Sequence, residues 1–227
     1  MGKKALLMSC NYPGSDAELK GCWNDTQIWK KILTDIKGFR EEDITILTDA
    51  DSGYEMPTGA NMRKQMRKIC EEAEPGDYIF IQYSGHGTQV DSLDEEDGKD
   101  EALCPCDMNL IIDNDVREIA NLCKDGVHLT FVADCCHSGG MLDHAEVLID
   151  SDKKADPDAV PTHFRSRALP QKDVAAFLSN LCGKKIGEHD LRSAVSNIYG
   201  DQASKFAVSF VENYTGKKMG DSHKKMV

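Results

Sequence analysis

Residues 77–87 read DYIFIQYSGHG. The β-branched and aromatic run from Tyr78 to Tyr83 is bounded upstream by Glu74-Pro75-Gly76 and downstream by a glycine on either side of His86. This composition and punctuation predict a buried strand over 77–84 that stops in a tight turn. A second run, GVHLTFVAD at 126–134, predicts another long strand, and it opens into Cys135-Cys136-His137-Ser138-Gly139-Gly140.

Working outward, KALLMSCN at 4–11 is a short apolar strand ended by Tyr12-Pro13-Gly14, and Ile44 to Leu47 is a further short one. Between them, Ile28, Trp29, Ile32 and Leu33 recur at helical spacing over 26–36. Met62, Met66 and Ile69 do the same over 61–73, and a third helix is expected over 113–123, with Asp113 at its positive end. The order is β, α, β, α, β, acidic loop, α, β. Such alternation predicts an α/β fold with a mostly parallel sheet and helices on both faces. In sheets of this kind ligand chemistry collects at the carboxyl ends of strands, where both glycine-rich turns fall.

Composition bounds the rest. With 227 residues, 40% of them hydrophobic, the chain is long enough for one domain with a real core and an appendage. Its net charge of −12 argues against nucleic-acid and anionic-membrane partners. Residues 91–115 hold ten Asp/Glu and one Lys, which reads as a solvated loop able to gather a divalent cation. Counting back from Gly98 puts Leu93 at position one of an EF-hand loop, so the stretch is not an EF-hand.

The nine cysteines come with no secretory leader and no continuous apolar run of membrane length, so free thiols in a reducing, cytoplasmic setting are expected. Cys104-Pro105-Cys106 is CxC with no second pair, a poor structural zinc site.

Taken alone, His86 reads as a turn histidine and Cys136 as a small buried hydrophobe. Placed at two strand ends of one sheet, they form a Cys–His pair, in which an imidazole holds a thiolate and then protonates a leaving amine. They stand 50 residues apart, the separation typical of caspases.

Tyr83-Ser84-Gly85-His86-Gly87 and Asp134-Cys135-Cys136-His137-Ser138-Gly139 resemble the two catalytic motifs of metacaspases, caspase-like cysteine proteases of plants, protists, fungi and bacteria. Gly21-Cys22-Trp23-Asn24-Asp25 resembles that family's first helix entry, and Asn11-Tyr12-Pro13-Gly14 the end of its first strand. The resemblance covers roughly residues 4–143. It implies a caspase-like three-layer α/β/α sandwich, with Cys136 as nucleophile, His86 as its partner, and the N–H groups of Gly87 and Cys136 as oxyanion hole. It also implies an S1 pocket of Cys22, Asp25, Ser84 and Asp134, hence protein or peptide substrates cleaved after Arg or Lys. Calcium is the implied cofactor, held by Asp100, Asp113 and Asp143, with Asn114 where the family often has Asp and Asp115 as a substitute.

Residues 151–167 are polar and hold Pro157 and Pro161. Three amphipathic helices follow, on Val174/Phe177/Leu178/Leu181, Leu191/Val195/Ile198 and Phe206/Phe210/Tyr214, with glycines near their ends. The expected layout is a catalytic domain over 1–150, an exposed loop over 151–170, a helical linker over 171–216 and a basic tail over 217–227. The linker resembles that of plant-type metacaspases, which covers the site until cut after a basic residue. Arg165, Arg167, Lys153 and Lys154 are the candidate cuts. The family's second, smaller segment (p10) has no counterpart here, and the C-terminal helices are expected to cover the sheet edge it would otherwise extend. The reading is therefore a calcium-activated, monomeric endopeptidase made as a latent precursor; its rival is a non-catalytic, calcium-responsive scaffold of the same fold.

Overall fold

Strand β1 (Lys3–Ser9) lies at the centre of a parallel sheet and shows why the chain folds in layers. Its side chains alternate, as a strand's must. Ala5 and Leu7 join Leu33, Ile46 and Phe80 in one apolar cluster, against which Trp23 and Trp29 of helix α1 (Cys22–Asp35) pack. Leu6 and Met8 join Met62, Met66 and Ile69 of helix α2 (Gly59–Glu71) in a larger cluster on the other face. Each fully buried Leu, Ile or Met contributes about 1.5–3 kcal/mol relative to exposure. Helix α2 starts where the Thr58 hydroxyl accepts the Asn61 N–H at 3.2 Å, an N-cap.

The structure, a computed structural model, describes residues 1–91, 99–135 and 167–206. The main sheet adds β2 (Ile44–Thr48), β3 (Tyr78–Ser84) and β7 (His128–Asp134), in the order β2-β1-β3-β7, all parallel. Helix α3 (Asp113–Ala120) lies beside α2, which completes the expected α/β/α sandwich.

Two expectations need correction. The acidic stretch is not a solvated loop throughout. Strands β4 (Gly87–Asp91), β5 (Lys99–Leu103) and β6 (Ile111–Ile112) form a separate antiparallel sheet, on which Val90, Ala102, Leu103 and Ile111 are buried. Asp100, Asp113 and Asp115 are buried too. A charged residue on an inward position, Asp100 between Lys99 and Glu101, hid the period of two.

Nor, among the described residues, do the C-terminal helices sit on the edge of the main sheet. Helices α4 (Gln171–Cys182) and α5 (Leu191–Tyr199) pack together, α4 lies on β4, and Val174, Leu178, Leu191 and Val195 enter the larger core cluster. Gly183 ends α4 in the left-handed conformation, φ 68°, which costs a glycine nothing. The third expected helix lies largely outside the described residues. Among those described, no helix is long and apolar enough to cross a membrane.

Candidate active site

Strands β3 and β7 pair directly, with Ser84 opposite Asp134, so the turn that carries His86 leaves the sheet beside the end of β7. Cys136 itself lies outside the described residues, as do Asp143, Lys153, Lys154 and Arg165. Cys135 is half-buried at the end of β7. His86 is buried, and its imidazole is held at both nitrogens: Nε2 is 2.8 Å from the Ala17 carbonyl oxygen and Nδ1 is 2.9 Å from that of Arg167. Both partners are acceptors. A doubly protonated ring donates to both, while a neutral ring can donate to only one.

The expected processing residue Arg167 occupies the expected pocket. Its guanidinium lies 2.8 Å from Asp25 Oδ2 and 2.7 Å from Asp134 Oδ2, and it also donates to the Asp134 carbonyl at 2.7 Å. Asp25 is in the first turn of α1, which also suits the helix dipole. Burial opposes the guanidinium's charge, but the Asp25 hydrogen bond, with Cys22 and Asp134 nearby, holds its pKa above the ordinary value. The Cys22 thiol is pushed up to about 12 by burial, against the pull of Arg167, so it stays a neutral wall. Ser84 is buried and accepts from Gln82 Nε2 at 2.7 Å.

The backbone continues the fit. Gly87 N–H donates to the Arg167 carbonyl at 3.0 Å, and Leu169 N–H donates to the Gly87 carbonyl at 2.9 Å, so Ala168 forms a parallel bridge with Gly87. Residues 167–169 are therefore docked rather than part of an exposed loop, and Leu169 is buried.

A profile of the metacaspase, peptidase C14 domain matches residues 3–145. The chain belongs to the metacaspase family. It is similar to Metacaspase-4 of Arabidopsis thaliana, at 42% identity over 161 residues, covering 70% of this chain and 38% of that protein. With Metacaspase-6 of the same plant the identity is 35% over 222 residues, covering 90% of this chain and 60% of the relative. Metacaspase-1 of Eremothecium gossypii is 43% identical over 148 residues, covering 62% of this chain and 33% of its own length. The chain thus spans less than two thirds of the length of each of these curated relatives. A crystal structure of a Geobacter sulfurreducens protein aligns with a TM-score of 0.51 at 29% identity, over 61% of this chain and 52% of that one.

The calcium donors expected of a metacaspase divide. Asp100 and Asp113 are buried, and the β5–β6 register brings β5 towards the start of α3. Asp100 Oδ2 is ion-paired with Arg192 of α5, and its Oδ1 is buried with no hydrogen-bond partner among the described residues. Asp113 Oδ1 accepts the Asn114 N–H at 2.7 Å, and the Asn114 side-chain oxygen accepts from Arg117. The hard-oxygen chemistry and the orphaned Asp100 oxygen suit calcium. Among the described residues, however, no group of three or more acids is drawn together to hold a metal. Asp115, the possible substitute, instead accepts from Ser204 Oγ at 2.8 Å and Ile112 N–H at 3.1 Å; burial raises its pKa, with Arg63 opposing.

Sequence reading missed the Ala17 carbonyl, a main-chain group with no side-chain signal. It also missed Arg192, whose partner lies 92 residues away.

Proposed function

We propose that this metacaspase is a cysteine endopeptidase that cleaves after Arg or Lys and is kept latent by its own C-terminal segment. One observation carries the reading: Arg167 places a guanidinium between Asp25 and Asp134 while its carbonyl meets His86 and the Gly87 N–H. A basic residue preceding a scissile bond needs both ends held in this way. In the proposed chemistry the Cys136 thiolate attacks the carbonyl carbon, with Gly87 N–H stabilising the charge on oxygen. The C–N bond then breaks as His86 protonates the leaving amine, and water hydrolyses the thioester.

Calcium fits this reading as an activator. When bound, it would supply positive charge to Asp100 and its neighbours, in competition with Arg192. Loss of Arg192 from Asp100 would loosen α5, and with it the segment that carries Arg167.

The test is to incubate purified protein with and without millimolar calcium, an arginine-P1 fluorogenic peptide and a gel alongside. Calcium-dependent turnover is expected, with a new fragment beginning at Ala168, and Cys136→Ala abolishes both while Cys135→Ala keeps most activity. Absence of turnover in folded protein under both conditions would sink the reading in favour of a scaffold.

A further inference from the structure

His86 is fixed by more than its ring contacts. Two buried tyrosines, Tyr83 on β3 and Tyr12 in the loop that follows β1, reach its main chain. Tyr12 Oη accepts the His86 N–H at 2.9 Å and donates to the Cys104 carbonyl at 2.5 Å. Tyr83 Oη, 3.2 Å from Tyr12 Oη, lies 2.9 Å from both the His86 and the Cys104 carbonyl oxygens; with the Tyr12 proton on the Cys104 carbonyl, that of Tyr83 goes to the His86 carbonyl, which also accepts the Cys104 N–H at 3.0 Å. Each hydroxyl has one proton, and this assignment uses both. Burial raises the pKa of both tyrosines well above the ordinary value, so both remain hydroxyls.

The surroundings are built for this contact. A Cβ on Gly85 would lie 2.3 Å from Tyr83 Oη and 3.0 Å from Tyr12 Oη, so only glycine leaves room for the hydroxyls. Tyr12 has φ 50°, a conformation that an aromatic residue seldom adopts. The Asp49 carboxylate holds it there, accepting the N–H of Asn11 at 2.7 Å and of Tyr12 at 2.8 Å. The Tyr12 ring lies 5.0 Å from the His86 ring. Its carbonyl accepts from Ser15 Oγ at 2.8 Å, and so anchors the turn that presents the Ala17 carbonyl to His86 Nε2.

From this geometry we infer that Tyr12 and Tyr83 are positioning residues that set the His86 imidazole and the adjoining Gly87 N–H for reaction. The inference rests on the proposed role of His86. It explains why Asn11-Tyr12 and Tyr83-Ser84-Gly85-His86, at the neighbouring carboxyl ends of β1 and β3, carry these residue types. The phenols touch no substrate and act only through the His86 main chain.

The experiment compares Tyr12→Phe, Tyr83→Phe and Gly85→Ala with the parent chain. Kinetics are measured on the arginine-P1 peptide after calcium activation, together with NMR of histidine-¹⁵N-labelled protein, in which His86→Gln assigns the ring signal. Each variant is expected to lower kcat about 10–100-fold with KM within about twofold, since small misplacements of a reacting group cost this much. The slowly exchanging His86 ring proton is expected to broaden or vanish. A purely structural role would lower only the folded fraction and leave kcat per folded molecule unchanged. Should the phenylalanine variants fold with full kcat and an unchanged ring signal, the inference is overturned. If a phenylalanine variant does not fold, Gly85→Ala, which keeps both hydroxyls but displaces them, decides by the same readouts. If the parent chain shows no turnover, the proposed protease falls, and the ring signal alone judges whether the tyrosines position His86.

Discussion

The C-terminal segment sets two arginines against carboxylates of the catalytic region, and the two contacts differ in depth. Arg167 has a side-chain exposure of 22%, against 27% for Asp25 and 56% for Asp134. Arg192 is 10% exposed against 1% for Asp100, and its Nε also donates to the Asp91 carbonyl at 2.7 Å. The first contact stays partly solvated, so it can be exchanged for another basic residue at modest cost. Among the described residues the second leaves Asp100 dependent on one cation, because its other oxygen has no hydrogen-bond partner there. On the proposed reading, similar ion pairs serve as a replaceable plug in one place and a structural fastening in the other.

The sharpest way to break the comparison is Arg192→Met in the absence of calcium. Removing one partner of a buried pair leaves an uncompensated charge, so a loss of about 3–5 kcal/mol is expected in urea unfolding. Arg192→Met with Asp100→Asn should recover much of it. A loss no larger than that of a surface pair would show that depth is not what separates the two contacts.

Next in size, Asp25→Asn in the activated enzyme is expected to lower kcat/KM for the arginine peptide about 100-fold, and Asp134→Asn, being more exposed, about 10-fold. An equal fall on a P1-glutamine peptide, or no fall on the arginine peptide, would refute the pocket assignment.

Arg167→Ala is expected to cost only about 1 kcal/mol of stability. It should nonetheless speed labelling of Cys136 by an arginyl chloromethylketone without calcium, a rate followed by intact mass.

The smallest effect belongs to the rim, where His189 Nδ1 lies 2.7 Å from Asp91 Oδ2 with the imidazole largely exposed. His189→Ala should shift stability by about 0–1 kcal/mol. Raising salt from about 0.1 M to about 1 M, which cuts the screening length from ~10 Å to ~3 Å, should erase that difference. The same salt step should leave the Arg192→Met penalty largely intact.

Much of this was legible in the sequence because the apolar runs that build the main sheet obey local rules. Tyr78–Ser84 and His128–Asp134 declare themselves by residue type, and Met62, Met66 and Ile69 by spacing. His86 and Asp134 follow from two expected strand ends and Asp25 from the metacaspase resemblance, whereas the docking of Arg167, which in the sequence reads as a cut in an exposed loop, was not legible. The hairpin of β4 and β5 was not, because Asp100 is tolerable on a buried face only through Arg192, a partner distant in the chain. The Ala17 carbonyl was invisible for a different reason: any residue type would supply it. What places it is the turn anchored by Tyr12 and Ser15.

Gly87 grips the docked segment on both sides of the Arg167–Ala168 peptide bond, taking the Arg167 carbonyl on its N–H and the Leu169 N–H on its carbonyl. While that bond is intact, the two hydrogen bonds are bivalent: each holds the other's partner at an effective concentration on the millimolar scale. A peptide supplied at micromolar levels competes poorly against such a tethered occupant. One hydrolytic cut would divide the grip between two separate chain ends, each left with a single monovalent contact. The avidity would collapse without any movement of the sheet, and activation by this route would be a one-way step that no later removal of calcium reverses.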